Sequence, residues 1–209
     1  MKEQNQPEPR KKSTREKILE AAIDLYSKRG VSSVSVRDIT SMVGIKESAL
    51  YNHFSSKDEL LTVILEKFKD EFGKTVFPEE DIEEDIDKLG TELFLQRNLL
   101  SLQERITPII DQMWLIVYQE QFRDQQIREF VINDLLLRPV AFYTKAFRIM
   151  IEKGLIKPLD PGLLADEYNY VLFGLSFIRL LYQTDGKDVT PVVKKMFTHI
   201  KYFSETIKV

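Results

Sequence analysis

The sequence predicts an all-α chain in two regions, a three-helix head at the N-terminus and a larger helical-bundle body. Three observations carry this. Apolar residues recur at spacings of three and four from Ile18 onward, which suggests about nine helices. Serines followed three residues later by an acid, Ser13/Glu16, Ser35/Asp38 and Ser56/Glu59, mark helix starts. Strand-like alternation over Val31–Val36 is too short and Ser-rich for a strand.

Composition bounds the rest. At 209 residues and 43% hydrophobic, the chain has material for a core as one large domain or two small ones. It has no cysteine, hence no disulfide framework and no thiolate metal site. The N-terminal MKEQNQPEPRKKSTREK lacks the apolar centre of a signal peptide, and no apolar run is long enough for a membrane span. A cytoplasmic setting is the expectation. Net charge is −3, from 30 Lys+Arg and 33 Asp+Glu. Residues 1–60 hold 11 and 9 of these, so the remainder holds 19 and 24 and carries the acidity. That asymmetry suits a small nucleic-acid-binding head on an acidic body.

In chain order, residues 1–12 read as a disordered tail with Pro7 and Pro9. Its Arg10, Lys11 and Lys12 either lie along a phosphate backbone or are simply solvated. The capping pair Ser13/Glu16 opens a first helix with Ile18, Ala21, Ala22, Leu25 and Tyr26 on its buried stripe, stopped by Gly30. Ser35/Asp38 opens a second, with Ile39, Met42 and Val43 apolar. Gly44 suits the left-handed turn that ends it. A third, short helix follows over Glu47–Phe54. Leu50 and Phe54 share its apolar back, and Glu47, Ser48, Tyr51 and Asn52 form its front. A short helix with a polar, aromatic front, reached by a glycine turn, is the second helix of a helix-turn-helix. Ser56/Glu59 then starts a fourth helix, running to about Thr75, with Pro78 ending the region. Lys57 sits at its N-terminus, where a cation opposes the helix dipole and a docked anion would account for it.

The body begins with acidic Glu79–Asp87, in which Ile82, Ile86, Leu89 and Leu93 mark an amphipathic helix. Helices are expected over Ile109–Phe122 and Gln125–Lys153, the latter kinked or broken at Pro139 and capped by Gly154. Lys157-Pro158-Leu159 reads as a linker. Asp160-Pro161 starts a helix to about Gln183, and Thr190-Pro191 starts the last one in the same way. The Asp160–Gln183 stretch is apolar all round, so one side faces its own body and the other a second copy, unless it is simply the body's central helix.

The run Leu50-Tyr51-x-His53-Phe54-x-x-Lys57-x-x-Leu60 resembles the recognition-helix signature of the TetR family of transcriptional repressors. Thr14-Arg15-x-x-Ile18-Leu19-x-Ala21-Ala22-x-x-Leu25-Tyr26 with Gly30, and Ser35-Val36-x-Asp38-Ile39 with Gly44, resemble its first two helices. The likeness covers residues 13 to 61. It implies a DNA-binding head over 13–56 and a ligand-binding, dimerising body over 57–209.

On that reading, Tyr51, His53 and Lys57, with Thr14 and Ser35, contact phosphates. Ser48, Ala49, Asn52 and Arg37 read bases in the major groove, with Arg37 suited to guanine, Asn52 to adenine and Ala49 to a thymine methyl. The alternatives are packing against the first helix for Tyr51, a structural hydrogen bond for His53 and plain solvation for Arg37. Two positions depart from the family pattern. Lys46 stands where a capping Ser or Thr is common, and Glu47 replaces an often basic residue; it repels phosphate but accepts from cytosine's amino group.

The resemblance also implies a small-molecule pocket. Met113, Trp114, Tyr118 and Phe122, with Tyr143, Phe147 and Phe173, supply its apolar wall, although aromatics at helical spacing are more often core. Gln112, Asn133, Arg138 and Asn169, together with Arg179, are the polar residues expected to orient a ligand. The dimer seam is expected from Tyr170, Phe173, Gly174, Phe177, Ile178 and Leu181, and from Val192, Met196, His199 and Phe203 of the last helix. The expected partners are a palindromic duplex operator, a second copy of the chain and a small effector. No nucleophile motif, phosphate loop or metal-ligand spacing occurs, so neither catalysis nor a cofactor is expected. The rival reading is a helical ligand-binding protein or adaptor that keeps the head fold without binding an operator.

Overall fold

The computed structural model describes residues 12–72 and 81–209, so the expectations for the tail before Lys12, for Thr75 and for Pro78 lie outside the described residues. Among the described residues the chain is helical, with one isolated bridge between Ile156 and Lys208 and no strand. It forms two compact units that divide within the fourth helix, between Glu66 and Lys67 rather than at residue 56.

In the first unit, α1 (Thr14–Arg29) opens with the expected box: Glu16 N–H donates to Ser13 Oγ at 3.2 Å and Ser13 N–H to Glu16 Oε2 at 2.7 Å. A 3₁₀ turn over Val31–Ser33 leads to α2 (Val36–Val43), where Ser35 and Asp38 repeat the box. Gly44 at φ 75°, ψ 36° closes α2, and Ile45 N–H reaches back to Thr40 O at 3.0 Å. The third helix, α3, is shorter than expected, Glu47–Tyr51. His53 and Phe54 N–H both turn back to Leu50 O, so the chain tightens there instead of adding a helical turn. No side chain caps it at Lys46, as that departure from the family pattern implies. Leu50, Phe54, Ile39 and, from the α1 stripe, Ile18, Ala21, Ala22 and Tyr26 are buried, as are Leu60, Leu61, Ile64 and Leu65 of α4 (Lys57–Phe72), while Leu25 is half-buried. Met42, expected inside, is 55% exposed.

In the second unit, α5 (Ile82–Gln103) is longer than the sequence reading and broken within: Gly90 sits at φ 68°, ψ 179°. The break shifts the helical phase, so Phe94, Leu95 and Leu99 turn inward and Leu93, expected on the buried stripe, turns out. Thr107 and Pro108 start α6 (Pro108–Glu120). Then α7 (Gln125–Phe130), a π-helical stretch over Val131–Leu137 and α8 (Arg138–Glu152) follow without a gap. Pro139 neither breaks nor ends this run. The missing N–H falls just after a segment already rewound, where Arg138 N–H bonds Asn133 O. Gly154 caps α8 at φ 68°. The next residues are held to the chain's end, with Lys157 N–H donating to Ile207 O at 2.8 Å.

Asp160 caps α9 (Pro161–Thr184) through Gly162 and Leu163 N–H. Thr190 is not the cap of α10 (Thr190–Ile207). It is the first helical residue, and its N–H is taken by Asp188 at 2.9 Å. The core joins α5, α8, α9 and α10 around Phe94, Tyr143, Phe147, Tyr168, Met196 and Phe203.

Candidate nucleic-acid interface and effector cavity

The head presents one polar, aromatic surface. Leu50 and Phe54 anchor α3 inward, which turns Glu47, Ser48, Tyr51, Asn52 and His53 outward, with Ala49 half-buried. Tyr51 is 52% exposed, an uncommon place for a large ring with no packing role. Arg37 is exposed near the start of α2, and Thr14 at the start of α1. Arg15 lies over the Phe54 ring at 4.8 Å and holds that ring from outside.

Two of the expected contact residues have other partners. Ser35 Oγ accepts Asp38 N–H at 3.1 Å, and the Ser35 hydroxyl at 2.6 Å and its backbone N–H at 2.8 Å donate to Asp38 Oδ2; these two donors hold the Asp38 carboxyl below its usual range. The Lys57 ammonium donates to Val31 O at 2.8 Å and also to Val34 O, 6.0 Å from the Tyr26 ring. A cation at this helix start is therefore explained by two loop carbonyls, without a docked anion. Ser56 Oγ caps α4 through Glu59 N–H, while the Glu59 carboxylate returns to Ser55 rather than Ser56.

Residues 18–64 match the model of the bacterial regulatory proteins of the tetR family. The head belongs to the TetR family. Within this TetR-family head, the HTH-type transcriptional repressor KstR2 of Rhodococcus jostii is 40% identical over 65 residues, which is 31% of this chain and 32% of that protein. The match thus spans about a third of the length of the curated relative. The fold likeness extends well beyond the head. The ketosteroid transcriptional regulator KstR2 of Mycobacterium tuberculosis superposes with a TM-score of 0.67 at 22% identity, covering 96% of this chain and 97% of that one. A transcriptional regulator from Saccharomonospora viridis in complex with choline gives 0.60 at 26%, covering 91% and 95%. The family and these relatives are transcriptional regulators, not enzymes. Among the described residues no helix is long and apolar enough to cross a membrane, and no group of acids and histidines is arranged for a metal.

The second unit holds a cavity of about 110 Å³. Trp114 and Tyr118, one turn apart on α6 and stacked at 5.6 Å, form one wall. Tyr143, Phe173 and Asn169 line it as expected, and so does Arg179. The other expected residues lie elsewhere. Met113 and Phe147 are fully buried in the core, and Gln112 lies on α6 off the cavity. Asn133 in the rewound segment and Arg138 at the start of α8 are exposed, and Phe122, past the end of α6, is 83% exposed. Leu99, Leu102, Gln103 and Ile106 also line the cavity; they lie beyond the Ile82–Leu93 stripe of the sequence analysis, although Leu95, Leu99 and Leu102 keep helical spacing. Leu135 and Pro139 enter with the π-helical stretch.

Burial sets the electrostatics here. Arg179 and Asp111 form a two-pronged ion pair inside the unit, with Nη1 to Oδ2 at 3.3 Å and Nη2 on Oδ1. Burial pushes the Tyr118 hydroxyl up to about 12 against the opposing charge of Arg179. Tyr143 and Tyr168, hydrogen-bonded to each other, are also held well above the usual tyrosine range by burial.

The expected dimer seam divides in two. Tyr170, Gly174, Phe177, Ile178 and Leu181 are exposed along one face of α9, joined by Val171 and Tyr182. The face of α9 that carries Leu164, Tyr168, Leu172 and Leu180 is buried in its own unit. Val192, Met196 and Phe203 of α10 are buried in the same core, and His199 is half-buried against Tyr168 and Phe203. These four, with cavity-lining Phe173, face their own chain. The outer face of α10 carries Lys194, Lys195, Thr198, Lys201 and Glu205.

Proposed function

We propose that the chain is a dimeric DNA-binding transcription regulator, a repressor released from a palindromic operator by a small, largely apolar ligand. The observation that carries this is the outward Tyr51–Asn52–His53 surface at the end of α3, on a head that matches the family model. In the major groove, Asn52, Ser48, Ala49 and Arg37 read base edges, while Tyr51, His53 and Thr14 contact phosphates. Glu47 takes a cytosine amino group. Lys57 and Ser35 act one step back, holding the loops that aim these residues.

One head makes few contacts, so two are needed, about one helical turn of DNA apart or slightly more. The exposed α9 stripe supports pairing: contiguous apolar surface of this kind on a helix otherwise built into the core is the mark of an interface. The cavity supports ligand control. Its wall residue Trp114 meets Phe68 of α4 edge-on at 5.0 Å, so a ligand that moves the indole moves α4. The ligand favours release only as far as it binds the released geometry better.

Phe177→Asp tests the requirement for pairing. Placing a carboxylate in the α9 stripe should convert a dimer to a monomer by sedimentation and abolish operator binding, with the head still folded. Operator affinity unchanged in the monomeric variant would refute the dimer reading, while no operator binding by the parent itself would favour the rival, a helical ligand-binding protein or adaptor that keeps the head fold.

A further inference from the structure

Resting on the reading of the cavity as the effector site, we infer that the effector is an uncharged molecule with an aromatic or similarly flat apolar body and one carbonyl-type oxygen. The argument comes from two donors. Asn169 is 8% exposed and Arg179 is 7% exposed, both line the cavity, and Asn169 Nδ2 and Arg179 Nε have no hydrogen-bond partner. A buried N–H without an acceptor is costly, and a ligand oxygen that receives it gains what the free protein lacks. Both unpaired atoms are donors, so the group that satisfies them is an acceptor.

Charge narrows the class. The terminal nitrogens of Arg179 are already matched by the Asp111 carboxylate, so the site is close to neutral. An anionic ligand would bring an unmatched charge into a low dielectric. Asp134, also on the wall, is partly exposed and 3.9 Å from Arg138. A quaternary ammonium would approach the buried guanidinium and leave both N–H groups unpaired. Apart from the neutral Gln103 and Ser176, the rest of the wall is apolar or aromatic, and Trp114, Tyr118, Tyr143 and Phe173 offer it flat faces that take a flat apolar body.

The test is calorimetric titration of the full chain with four probes that share a phenyl ring: acetophenone, α-methylstyrene, benzoate and phenyltrimethylammonium. α-Methylstyrene replaces the carbonyl oxygen by a methylene and keeps the shape. Acetophenone is expected to bind about tenfold tighter than α-methylstyrene, and tighter than both ions. In Asn169→Leu that preference should shrink or invert while the far-UV spectrum is retained. Equal or tighter binding of α-methylstyrene, a charged probe in first place, or no binding of any probe would each overturn the inference. The wild-type ranking alone decides, so the result holds even if the variant does not fold. Operator binding measured on the same preparation keeps this outcome separate from the regulator reading, which can stand when the effector class falls.

Discussion

At the residue scale, Lys57 shows what position in a motif leaves open. The sequence places it at a helix start, where it reads as a phosphate contact. Its partners, the carbonyls of Val31 and Val34, are 26 and 23 residues away, and no local pattern announces a contact at that range. Ser13 and Ser35 were legible because a capping box closes within four residues and depends on nothing else. Tyr51 was legible for a related reason: on a helix of five residues, the buried Leu50 fixes which way its neighbour points. If the Lys57 ammonium holds the loop, Lys57→Met should destabilise the protein by about 1–3 kcal/mol in urea unfolding, since two carbonyls lose a charged donor. A Lys that served phosphate alone would leave stability within about 0.5 kcal/mol of the parent.

At the element scale, most helices followed from spacing and caps, and the errors cluster where a helix is interrupted without ending. Gly90 is the clearest case. Its Ile82–Ile86–Leu89 pattern is helical, and Phe94–Leu95–Leu99 is helical again, but the two stripes are out of phase because the glycine adopts φ 68°, ψ 179° between them. One glycine in a helical pattern gives no sign of which conformation it takes. An ion pair crosses the break, with Arg97 Nη1 on Asp85 Oδ1 at 2.6 Å. A Cβ at Gly90 would meet nothing within 4 Å, so a substitution there reports the backbone alone. Gly90→Ala should therefore cost about 1–3 kcal/mol of stability. In an unbroken helix the same change would stabilise by about 1 kcal/mol, so the sign of the shift in unfolding midpoint decides. Pro139 is the converse. The sequence announces a kink, and the chain absorbs it in a π-helical stretch that also turns Leu135 toward the cavity.

At the scale of the whole molecule, the apolar character of both faces of α9 was readable; the structure buries one face in its own unit and leaves the other exposed. Which way the apolar residues of α10 face was not. Val192, Met196 and Phe203 are apolar at helical spacing whether they meet the chain's own core or a partner, and only the packing assigns them inward. The cavity was legible in kind but not in membership: aromatics supply both core and pocket, and nothing in spacing separates Trp114 from Phe147. The account of function turns on the exposed front of α3. Both Tyr51 and Asn52 point away from the core, so replacing them should leave the fold untouched. The direct measurement is fluorescence anisotropy on duplexes selected from a random pool, comparing the parent with a Tyr51→Ala, Asn52→Ala double variant across a salt series. The account predicts tight, salt-dependent binding by the parent and a loss of at least about tenfold in the variant at an unchanged unfolding midpoint. Equal affinity of the two proteins for the selected duplex would contradict it.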